Sequence, residues 1–374
     1  MNKFLNTLIY ATMVFTFSEC ESDAQQKQIA IPFDSQEWTI VSDDYKLEEF
    51  DGQESIYLPQ GTASLKDVVF QDGIIEYDVA FPETRGFPGL FFRIQDSINS
   101  EEFYTRPHQS GNPDATQYQP IFNGSAGWQL YHGDGYSAAV KYRYNEWNHV
   151  KLVISGTEGE VYVNDLETPL FRIHELKYGL SSGYLALRGS AESHFANFRY
   201  TPIDNPELKS ERKEIEKYGP ETISEWEVSN AFNIKTLEGI TELKKDLFND
   251  LEWTKLSVES SGTANLARVG IFSQETNTVF VKKIIKSNKD QIKRLDLGFS
   301  DMVIVYINGR AVYSGDNAYR SRDYRYLGTI GYFDSVYSTL KKGDNEIIIA
   351  VMERFGGWGI KAKFDDPDGI IIGK

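Results

Sequence analysis

Short runs in which apolar and polar residues alternate make up most of the chain. In GIIEYDVAF (73–81), the odd positions from 75 to 81 are apolar, and Glu76 and Asp78 fall between them. GLFFRIQD (89–96) has the same period, which predicts that Arg93 and Gln95 point away from the core. A period of two indicates strands with one buried face. Because these runs are short and separated by turn residues, they predict a sandwich of two sheets.

The pattern divides the chain into two parts. Residues 29–200 are predicted to form one sandwich, and residues 225–374 to form a second in which Asn308 and Gly309 make a hairpin turn. The charged, proline-containing segment 201–224 interrupts the alternation and is predicted to be the linker. TELKKDLFNDL (241–251) is the one stretch with helical character. The expected fold class is therefore all-β, with two β-sandwich (jelly-roll) domains in tandem.

The amino terminus has the pattern of an export signal. Lys3 precedes an apolar run from residue 4 to residue 17, and the only cysteine, Cys20, follows it. Such a run is too short for a comfortable membrane span. Residues 1–20 resemble a bacterial lipoprotein signal peptide, which implies lipidation at Cys20 and a place on the outer membrane or cell surface of a Gram-negative bacterium. The alternative is a secreted protein with an incidental cysteine.

Composition narrows the range of partners. The chain has 374 residues and a formal net charge of -16. This charge repels nucleic acid and anionic membrane surfaces, so we expect no nucleic-acid partner and membrane contact through the lipid anchor alone.

Both halves resemble known families. GIIEYDVAF, PGLFFRIQD and EWNHVKLVISGTEGEVYVND resemble the concanavalin A-like, laminin-G-type sandwiches, and more narrowly the DUF1080 group of 3-keto-disaccharide hydrolases. DMVIVYINGRAVY, LKKGDNEIIIAV and GGWGIKAKF resemble the galactose-binding-like jelly roll of family 2 glycoside hydrolases. The first resemblance implies glycan chemistry, and the second implies a jelly-roll fold without specifying a ligand.

The segment 103–136 is rich in aromatic rings, amides and hydrogen-bonding groups and has few aliphatic residues. Aromatic faces stack on sugar rings, and planar amides, carboxylates and guanidinium groups form bidentate hydrogen bonds with hydroxyls. The segment therefore predicts a saccharide cleft. Its expected ligand-binding side chains are Glu76, Asp78, Gln95, Tyr104, Gln109, Asn112, Asp114, Gln117, Tyr118, Gln119, Asn123, Trp128, Tyr131 and His132. The alternative is a long loop whose polar groups satisfy one another.

Catalytic chemistry has weaker support in the sequence. Glu76 and Asp78 match the start of an E-x-D-x-x-E pattern, but the third position is Phe81, so the acid/base pair of a normal glycosidase is incomplete. If the protein is an enzyme, the resemblance implies cleavage of a 3-keto sugar, with His108, Arg106 and Arg93 as the candidate catalytic residues. No cofactor is certain, and a divalent metal ion held by His108, Asp114 and His132 is a further alternative.

Three functions follow from these observations. The first is an exported, lipid-anchored protein that binds or processes an oligo- or polysaccharide. The second is a hydrolase or lyase for 3-keto disaccharides, and the third is a scaffold that docks other outer-membrane proteins. The polar loop 313–326 is a second candidate sugar-binding edge or an interface with the first domain.

Overall fold

The computed structural model describes residues 27–214 and 217–373. The predicted signal segment and Cys20 lie outside the described residues. Within these ranges, no helix is long and apolar enough to cross a membrane.

The first sandwich is built from two antiparallel sheets. Its strands are β1 (Ile29–Ala30), β2 (Trp38–Val41), β3 (Lys46–Phe50), β4 (Gln53–Leu58), β5 (Gly61–Leu65), β6 (Gly73–Ala80), β7 (Gly89–Asp96), β8 (Asn99–Thr105), β9 (Thr116–Phe122), β10 (Ser125–Ala126), β11 (Ser137–Ala138), β12 (Asn148–Ser155), β13 (Glu158–Val163), β14 (Phe171–Ile173), β15 (Tyr184–Gly189) and β16 (Ser193–Pro202). Sheet A has the order β14-β13-β12-β6-β16-β4-β3, with β1 beside β16. Sheet B has the order β10-β9-β8-β7-β15-β5-β2, with β11 beside β9.

The core of this sandwich lies between sheets A and B. Ile75, Tyr77 and Val79 of β6 are almost completely buried there, as their alternation predicts. Leu90 and Phe103 from sheet B pack into the same cluster. The apolar face of each sheet is thereby removed from water, which is the main term that stabilises the domain.

The alternation predicted for β7 stops at Arg93. This residue has a positive φ of 48°, and the pairing of β7 with β8 shifts register between Phe92 and Asp96. A bulge of this kind inserts an extra residue and turns the following side chain to the other face. The prediction that Arg93 points to solvent is therefore wrong, and its side chain is fully buried.

The second sandwich is also nearly all strand. Its strands are β17 (Glu225–Ser229), β18 (Trp253–Ser257), β19 (Ala264–Asn265), β20 (Thr278–Ser287), β21 (Gln291–Ser300), β22 (Met302–Ile307), β23 (Arg310–Asp316), β24 (Asp334–Leu340), β25 (Gly343–Met352), β26 (Gly359–Phe364) and β27 (Ile370–Ile372). A seven-stranded sheet has the order β18-β17-β20-β25-β22-β23, with β27 beside β20, and a four-stranded sheet has the order β19-β26-β21-β24. The two-sandwich, all-β prediction is confirmed.

Two local predictions in this half have different outcomes. The hairpin turn between β22 and β23 is confirmed, because Asn308 and Gly309 both have positive φ. The helix expected over 241–251 is wrong, since only a 3-10 turn forms at Lys245–Phe248. Other 3-10 turns lie at Pro107–Gln109, Ile234–Leu237 and Leu266–Arg268. Within 241–251, Leu243, Leu247 and Leu251 pack against a small cluster around Phe280, and this contact is made without a regular helix.

The two sandwiches meet at residues 127–132, which we call the junction loop. Gln129 of this loop is fully buried against the second sandwich. Its Nε2 donates to the carbonyl of Leu327 at 2.8 Å, and its Oε1 accepts from Ser300 Oγ at 3.0 Å. Its backbone N–H donates to the carbonyl of Gly356 at 2.9 Å. Because one amide side chain is satisfied entirely by the other sandwich, the junction is specific rather than a loose contact.

The segment between the sandwiches contacts both of them. Ser210 donates its backbone N–H to Glu160 Oε1 in the first sandwich at 2.6 Å. Ile223 is fully buried in the second core, where its N–H donates to the carbonyl of Ala362. Ser210 is therefore held to the first sandwich by a hydrogen bond, and Ile223 is held in the second by a hydrogen bond and packing.

Candidate functional site

The outer face of sheet B, which points away from the core, carries a row of polar side chains. Register pairs Tyr104 of β8 with Gln117 of β9, and Glu102 with Gln119. Arg188 of β15 lies on the same face, two strands away across Gly89 of β7. Side chains directly opposite on neighbouring strands lie close enough to interact. This outer face is the candidate site.

One cluster on the outer face is centred on Arg106. Its Nη2 donates to Tyr104 Oη at 2.6 Å and to Gln117 Oε1 at 2.5 Å. Its Nη1 donates to the carbonyl of Asp114 at 2.6 Å, and the Asp114 carboxylate lies 3.5 Å away. The planar fork is thus held in one orientation by partners within the cluster, and the Arg106 side chain is only 6% exposed.

A second cluster is centred on Glu102. Its Oε2 accepts from Gln119 Nε2 at 2.7 Å, and its Oε1 accepts from Arg188. The Glu102 carboxylate is completely buried, whereas the Arg188 side chain is one-third exposed. The Oε1 of Gln119 is buried and accepts no hydrogen bond from the described residues. This cluster therefore combines a partly exposed guanidinium with an unused acceptor.

Gly89 separates the two clusters on the floor of the site. It pairs with Tyr104 on one side and with Arg188 on the other. A Cβ added to Gly89 would lie 2.7 Å from the Cβ of Tyr104. Glycine is therefore required at this position by the close approach of the backbone of β8, whose Phe103 carbonyl oxygen would lie 2.3 Å from the added Cβ.

Aromatic rings and His108 stand at the rim. Phe87 lies 6.0 Å from the ring of Tyr104 and 5.6 Å, edge to face, from the ring of His108. The Trp128 ring lies 5.7 Å from the Arg106 guanidinium. Tryptophan and phenylalanine at a polar face offer apolar surface for the C–H face of a sugar.

The environment of His108 favours its neutral form. The side chain is half-buried, and its Nδ1 is buried without a partner among the described residues. Burial lowers the pKa of His108 below its ordinary value, and the positive charges of Arg85 and Arg106 lower it further. A neutral imidazole with an unused nitrogen can accept a proton.

Glu76 and Asp78 are not part of this site. They lie on the outer face of sheet A, on the opposite side of the core, so the prediction that they bind a ligand in one cleft with Tyr104 and the loop residues after it is wrong. His149 Nδ1 lies 2.5 Å from Asp78, and Arg199 Nε donates to Glu76 at 3.0 Å. The hydrogen bond from His149, reinforced by Arg199 against the effect of burial, holds the pKa of Glu76 at about 2. A carboxyl with so low a pKa is unsuited to donating a proton near neutral pH.

Arg93, Gln95 and Tyr118 are also placed differently from the expectation. The Arg93 guanidinium is buried, and it donates to the carbonyls of Gln71, Gly179 and Gly156 and to the carboxylate of Asp72. Gln95 donates to the carbonyls of Arg93 and Ser182. Tyr118 has the parity of Phe103, so it lies in the core, where its Oη donates to Glu101 at 2.7 Å. The Arg93 guanidinium nitrogens therefore all donate to Asp72 or to backbone carbonyls, and Tyr118 lies between the sheets, so neither side chain reaches the outer face of sheet B.

The expected loop residues separate into two groups. Asp114 contacts Arg106, while Gln109 Oε1 accepts from Asn112 in the turn after β8, and Asn112 is exposed. The other group turns to the second sandwich: Asn123 Nδ2 donates to the carbonyl of Ala267, and Tyr131 is buried at the junction. The sequence gives no sign of this, because an aromatic or amide at a domain junction has the same composition as one in a cleft.

The metal site considered for His108, Asp114 and His132 does not form. His132 belongs to the junction loop, where burial, together with the charge of Lys361 from the second sandwich, lowers its pKa below the ordinary value. His108 and Asp114 both lie near Arg106, whose positive charge opposes cation binding. Across the described ranges, no group of three or more His, Cys, Asp or Glu side chains is placed to hold a metal ion.

Sequence reasoning missed Glu102, Arg188 and Phe87. A signal for the first two was present, because Glu102 shares the parity of Tyr104 in EEFYT, and Arg188 alternates with Leu187 in YLALRGS. Only the strand order, which places β15 next to β7 and β7 next to β8, shows that they face the same surface.

Comparison with known proteins finds a family match for the first sandwich. Residues 34–201 match the family model of the 3-keto-alpha-glucoside-1,2-lyase-like domain. This segment of the chain is similar to that family. The matched segment spans nearly all of the first sandwich and includes both clusters of the outer face. No curated protein matches the chain.

Several solved structures resemble part of the chain at low sequence identity. The carbohydrate-binding module CBM66 from Bacillus subtilis is 15% identical, with 46% of this chain and 96% of that chain covered and a TM-score of 0.33. The Bacillus licheniformis beta-glucanase is 12% identical, with 47% and 98% covered and a TM-score of 0.34. CG-16, a homodimeric agglutinin from chicken liver, is 15% identical, with 37% and 99% covered and a TM-score of 0.30. Scores this low transfer neither ligand nor activity to this chain.

Proposed function

We propose that the first sandwich binds a saccharide on the outer face of sheet B, between Arg106 and Arg188. The observation that carries this proposal is the pair of polar clusters on either side of Gly89, with aromatic rings at the rim. A sugar ring has a flat apolar face and an equatorial belt of hydroxyls. Rings bind the first, and fixed guanidinium, amide and carboxylate groups bind the second.

Charge supports a neutral sugar as the ligand. The whole chain has a formal net charge of -16, which repels polyanions at long range. At the site itself, Arg188 is neutralised by Glu102, and Asp114 lies beside Arg106. The outer face therefore offers directed hydrogen bonds without a strong net positive field.

Replacement of Arg106 by lysine tests this proposal. Lysine keeps the charge but cannot donate to Tyr104, Gln117 and Asp114 at once, so we expect glycan affinity to fall at least tenfold. A glycan array followed by titration calorimetry gives the measurement. Arg212→Lys is the control, because the Arg212 side chain is 75% exposed and lies away from the outer face of sheet B. An Arg106→Lys variant that stays folded and binds an array-identified glycan as tightly as the parent contradicts the proposal.

A second candidate function is elimination on a 3-keto sugar, and the position of His108 beside Phe87 at the rim, with a pKa lowered by burial and by Arg85 and Arg106, favours it. A keto group at C3 acidifies the C–H bond at C2. A base takes that proton, the electron pair passes through an enolate at the C3 oxygen, and the bond from C1 to the leaving oxygen breaks as the C1–C2 double bond forms. The leaving oxygen then takes a proton. His108 is suited to the base and Arg106 to stabilising the enolate.

The family match also supports this second candidate, because the family is described as 3-keto-alpha-glucoside-1,2-lyase-like. Incubation with a 3-keto-glucoside and with the corresponding unoxidised glucoside separates the two functions. A lyase releases the C1 substituent from the keto sugar alone. A binding protein releases nothing from either.

The location proposed for this activity rests on the sequence alone. We propose that the protein is exported and held at the outer membrane or cell surface through a lipid on Cys20, with the apolar run from residue 4 to residue 17 as its signal. This position would give the outer face of sheet B access to glycans outside the cytoplasm.

A further inference from the structure

An exposed cluster of three aromatic rings lies where the two sandwiches meet. Trp128 comes from the junction loop, and Tyr319 and Phe355 come from the second sandwich. The Trp128 ring lies 5.8 Å from that of Phe355 and 6.3 Å from that of Tyr319, and the last two rings are 6.1 Å apart. Phe355 is 53% exposed and Tyr319 is 37% exposed. We call these three residues the aromatic platform.

The loop that carries Phe355 is held in place from below. The backbone N–H groups of Phe355 and Arg354 both donate to Oδ2 of the buried Asp301, at 3.0 and 2.8 Å. The carbonyl of the next residue, Gly356, accepts from the backbone N–H of Gln129. A large apolar ring that is exposed on an anchored loop costs little ordering entropy when a ligand packs on it.

The aromatic platform is continuous with the outer face of sheet B. Gln117 of that face donates to the carbonyl of Trp128 at 2.9 Å, and the Arg106 guanidinium lies over the Trp128 ring. At the other side of the platform, the Arg320 guanidinium lies 4.9 Å from the centre of the Tyr319 ring. Rings flanked by guanidinium groups therefore extend from the first sandwich onto the second.

We propose that the aromatic platform binds further sugar units of the same saccharide, so that the ligand is an oligosaccharide that crosses the domain junction. This inference rests on the proposed function, since it assigns the second sandwich a part in the same site. Sugar is the occupant that we favour because the platform adjoins the saccharide-binding face and pairs its rings with arginine donors. The second sandwich then determines the preferred length of the ligand.

The test is a length series measured on the full chain. The probes are glucose and the α-linked series from maltose to maltohexaose, together with the β-linked series from cellobiose to cellohexaose. Affinity is measured by calorimetry and by the fluorescence of Trp128, compared with a Trp128→Phe variant. The variants are Phe355→Ala and Tyr319→Ala, and the control is Tyr337→Ala, which removes a ring that is 72% exposed on β24.

We expect the affinity of the parent protein to rise with ligand length. Phe355→Ala and Tyr319→Ala should weaken the longest ligand about tenfold and leave the shortest bound ligand unchanged, because stacking of one ring is lost. Tyr337→Ala should match the parent at every length. Sedimentation of the same variants shows whether the rings instead hold two copies of the chain together, and a parent dimer that Phe355→Ala dissociates overturns the inference.

The other outcomes separate this inference from the function on which it rests. Suppose that Arg106→Lys weakens binding, but that affinity is equal for all ligand lengths and is unchanged by Phe355→Ala. This result overturns the oligosaccharide inference and leaves the saccharide site intact. Binding of neither series by the parent, together with a glycan array that shows no ligand, overturns both.

Discussion

The phenol of Tyr131 in the first sandwich donates a hydrogen bond of 2.7 Å to Oε1 of Glu259 in the second. The other carboxylate oxygen of Glu259 lies 3.0 Å from Lys177 Nζ, and Arg268 also pairs with the group. Burial alone would raise the pKa of Glu259, but the charges of Lys177 and Arg268 outweigh burial and keep that pKa below its ordinary value. A compensated charge cluster is therefore shared by the two sandwiches.

The first prediction concerns this cluster. Glu259→Gln leaves the partly buried Arg268 without its counter-charge and leaves Lys177 with Glu175 alone, so we expect the free energy of unfolding to fall by about 3 kcal/mol. Because both sandwiches contribute to the cluster, calorimetry of the parent should show one transition, and the variant should show a lower or divided one. Glu252→Gln, at an exposed position, is the control. Two separate transitions in the parent would mean that the junction does not couple the sandwiches.

The second prediction concerns Arg93, which sequence parity placed in the cleft. It is fully buried, and its guanidinium bonds to the carboxylate of Asp72 and to the carbonyls of Gly179 and Gly156. Arg93→Lys cannot make the same set of hydrogen bonds, so we expect a loss of about 2–4 kcal/mol in the free energy of unfolding. Chemical denaturation measures it. An Arg93→Lys variant that is as stable as the parent but has lost glycan binding would return Arg93 to the site.

The alternation of apolar and polar residues predicts the buried face of a regular strand correctly, and it fails where the strand contains a bulge. Alternation correctly placed Ile75, Tyr77 and Val79 in the core, because a strand without a bulge has a period of two. It failed at Arg93, where a residue with positive φ changes the face of the strand, and sequence alone does not show the bulge.

The candidate site shows a second limit. Tyr104, Arg106 and Gln117 were found because they lie on neighbouring stretches of one polar segment. Arg188 was not found, because β15 reaches the site only through the order of strands in sheet B. Glu76 was assigned to the site although it lies on sheet A, since alternation indicates which side of a strand a residue occupies but not which sheet the strand joins.

The third prediction is a pH dependence of stability. Burial, together with the neighbouring Asp301, raises the pKa of Glu353 from 4.5 to about 8. Between these values the folded protein keeps a proton on Glu353 that the unfolded chain releases, so this residue makes the protein less stable as the pH rises across that window.

Glu353→Gln should remove this contribution, because the amide has the shape of the protonated acid and does not ionise. We expect the difference in unfolding free energy between variant and parent to shift in favour of the variant from pH 5 to pH 8. Urea titrations at fixed ionic strength give the measurement, and the exposed change Glu252→Gln is again the control. Parallel curves for the parent and Glu353→Gln would show that Glu353 ionises normally.

The fourth prediction concerns the amino terminus. If Cys20 carries a lipid, Cys20→Ala should move the protein from the membrane fraction to the soluble one in a Gram-negative host. Fractionation with immunoblotting gives the distribution, and Ser18→Ala, in the same segment, is the control. Equal membrane retention of the Cys20→Ala variant would refute lipidation at that cysteine.

The last prediction separates binding from catalysis at His108. In a binding protein, His108→Ala removes at most one hydrogen bond, so affinity should fall by about 1 kcal/mol. In a lyase, the same change removes the base, so turnover of a 3-keto-glucoside should fall about a hundredfold or more while binding is largely kept. His174→Ala is the control, because His174 is also half-buried and has a pKa lowered by burial, but it lies beside Asp134, away from the outer face of sheet B.

The pH dependence of kcat/KM gives a second test of His108 as the base. A base must be neutral, and burial lowers the pKa of His108 below 6.5, so kcat/KM of the parent should rise with pH below that value and be level above it. The residual activity of His108→Ala should lack this rise. If His108→Ala retains full turnover and the same acidic limb, the base is another group. If His108→Ala loses turnover and also melts at a lower temperature, the milder variant His108→Gln is needed. Glutamine keeps a hydrogen-bonding side chain but has no basic nitrogen. His108→Gln should be equally inactive if His108 is the base.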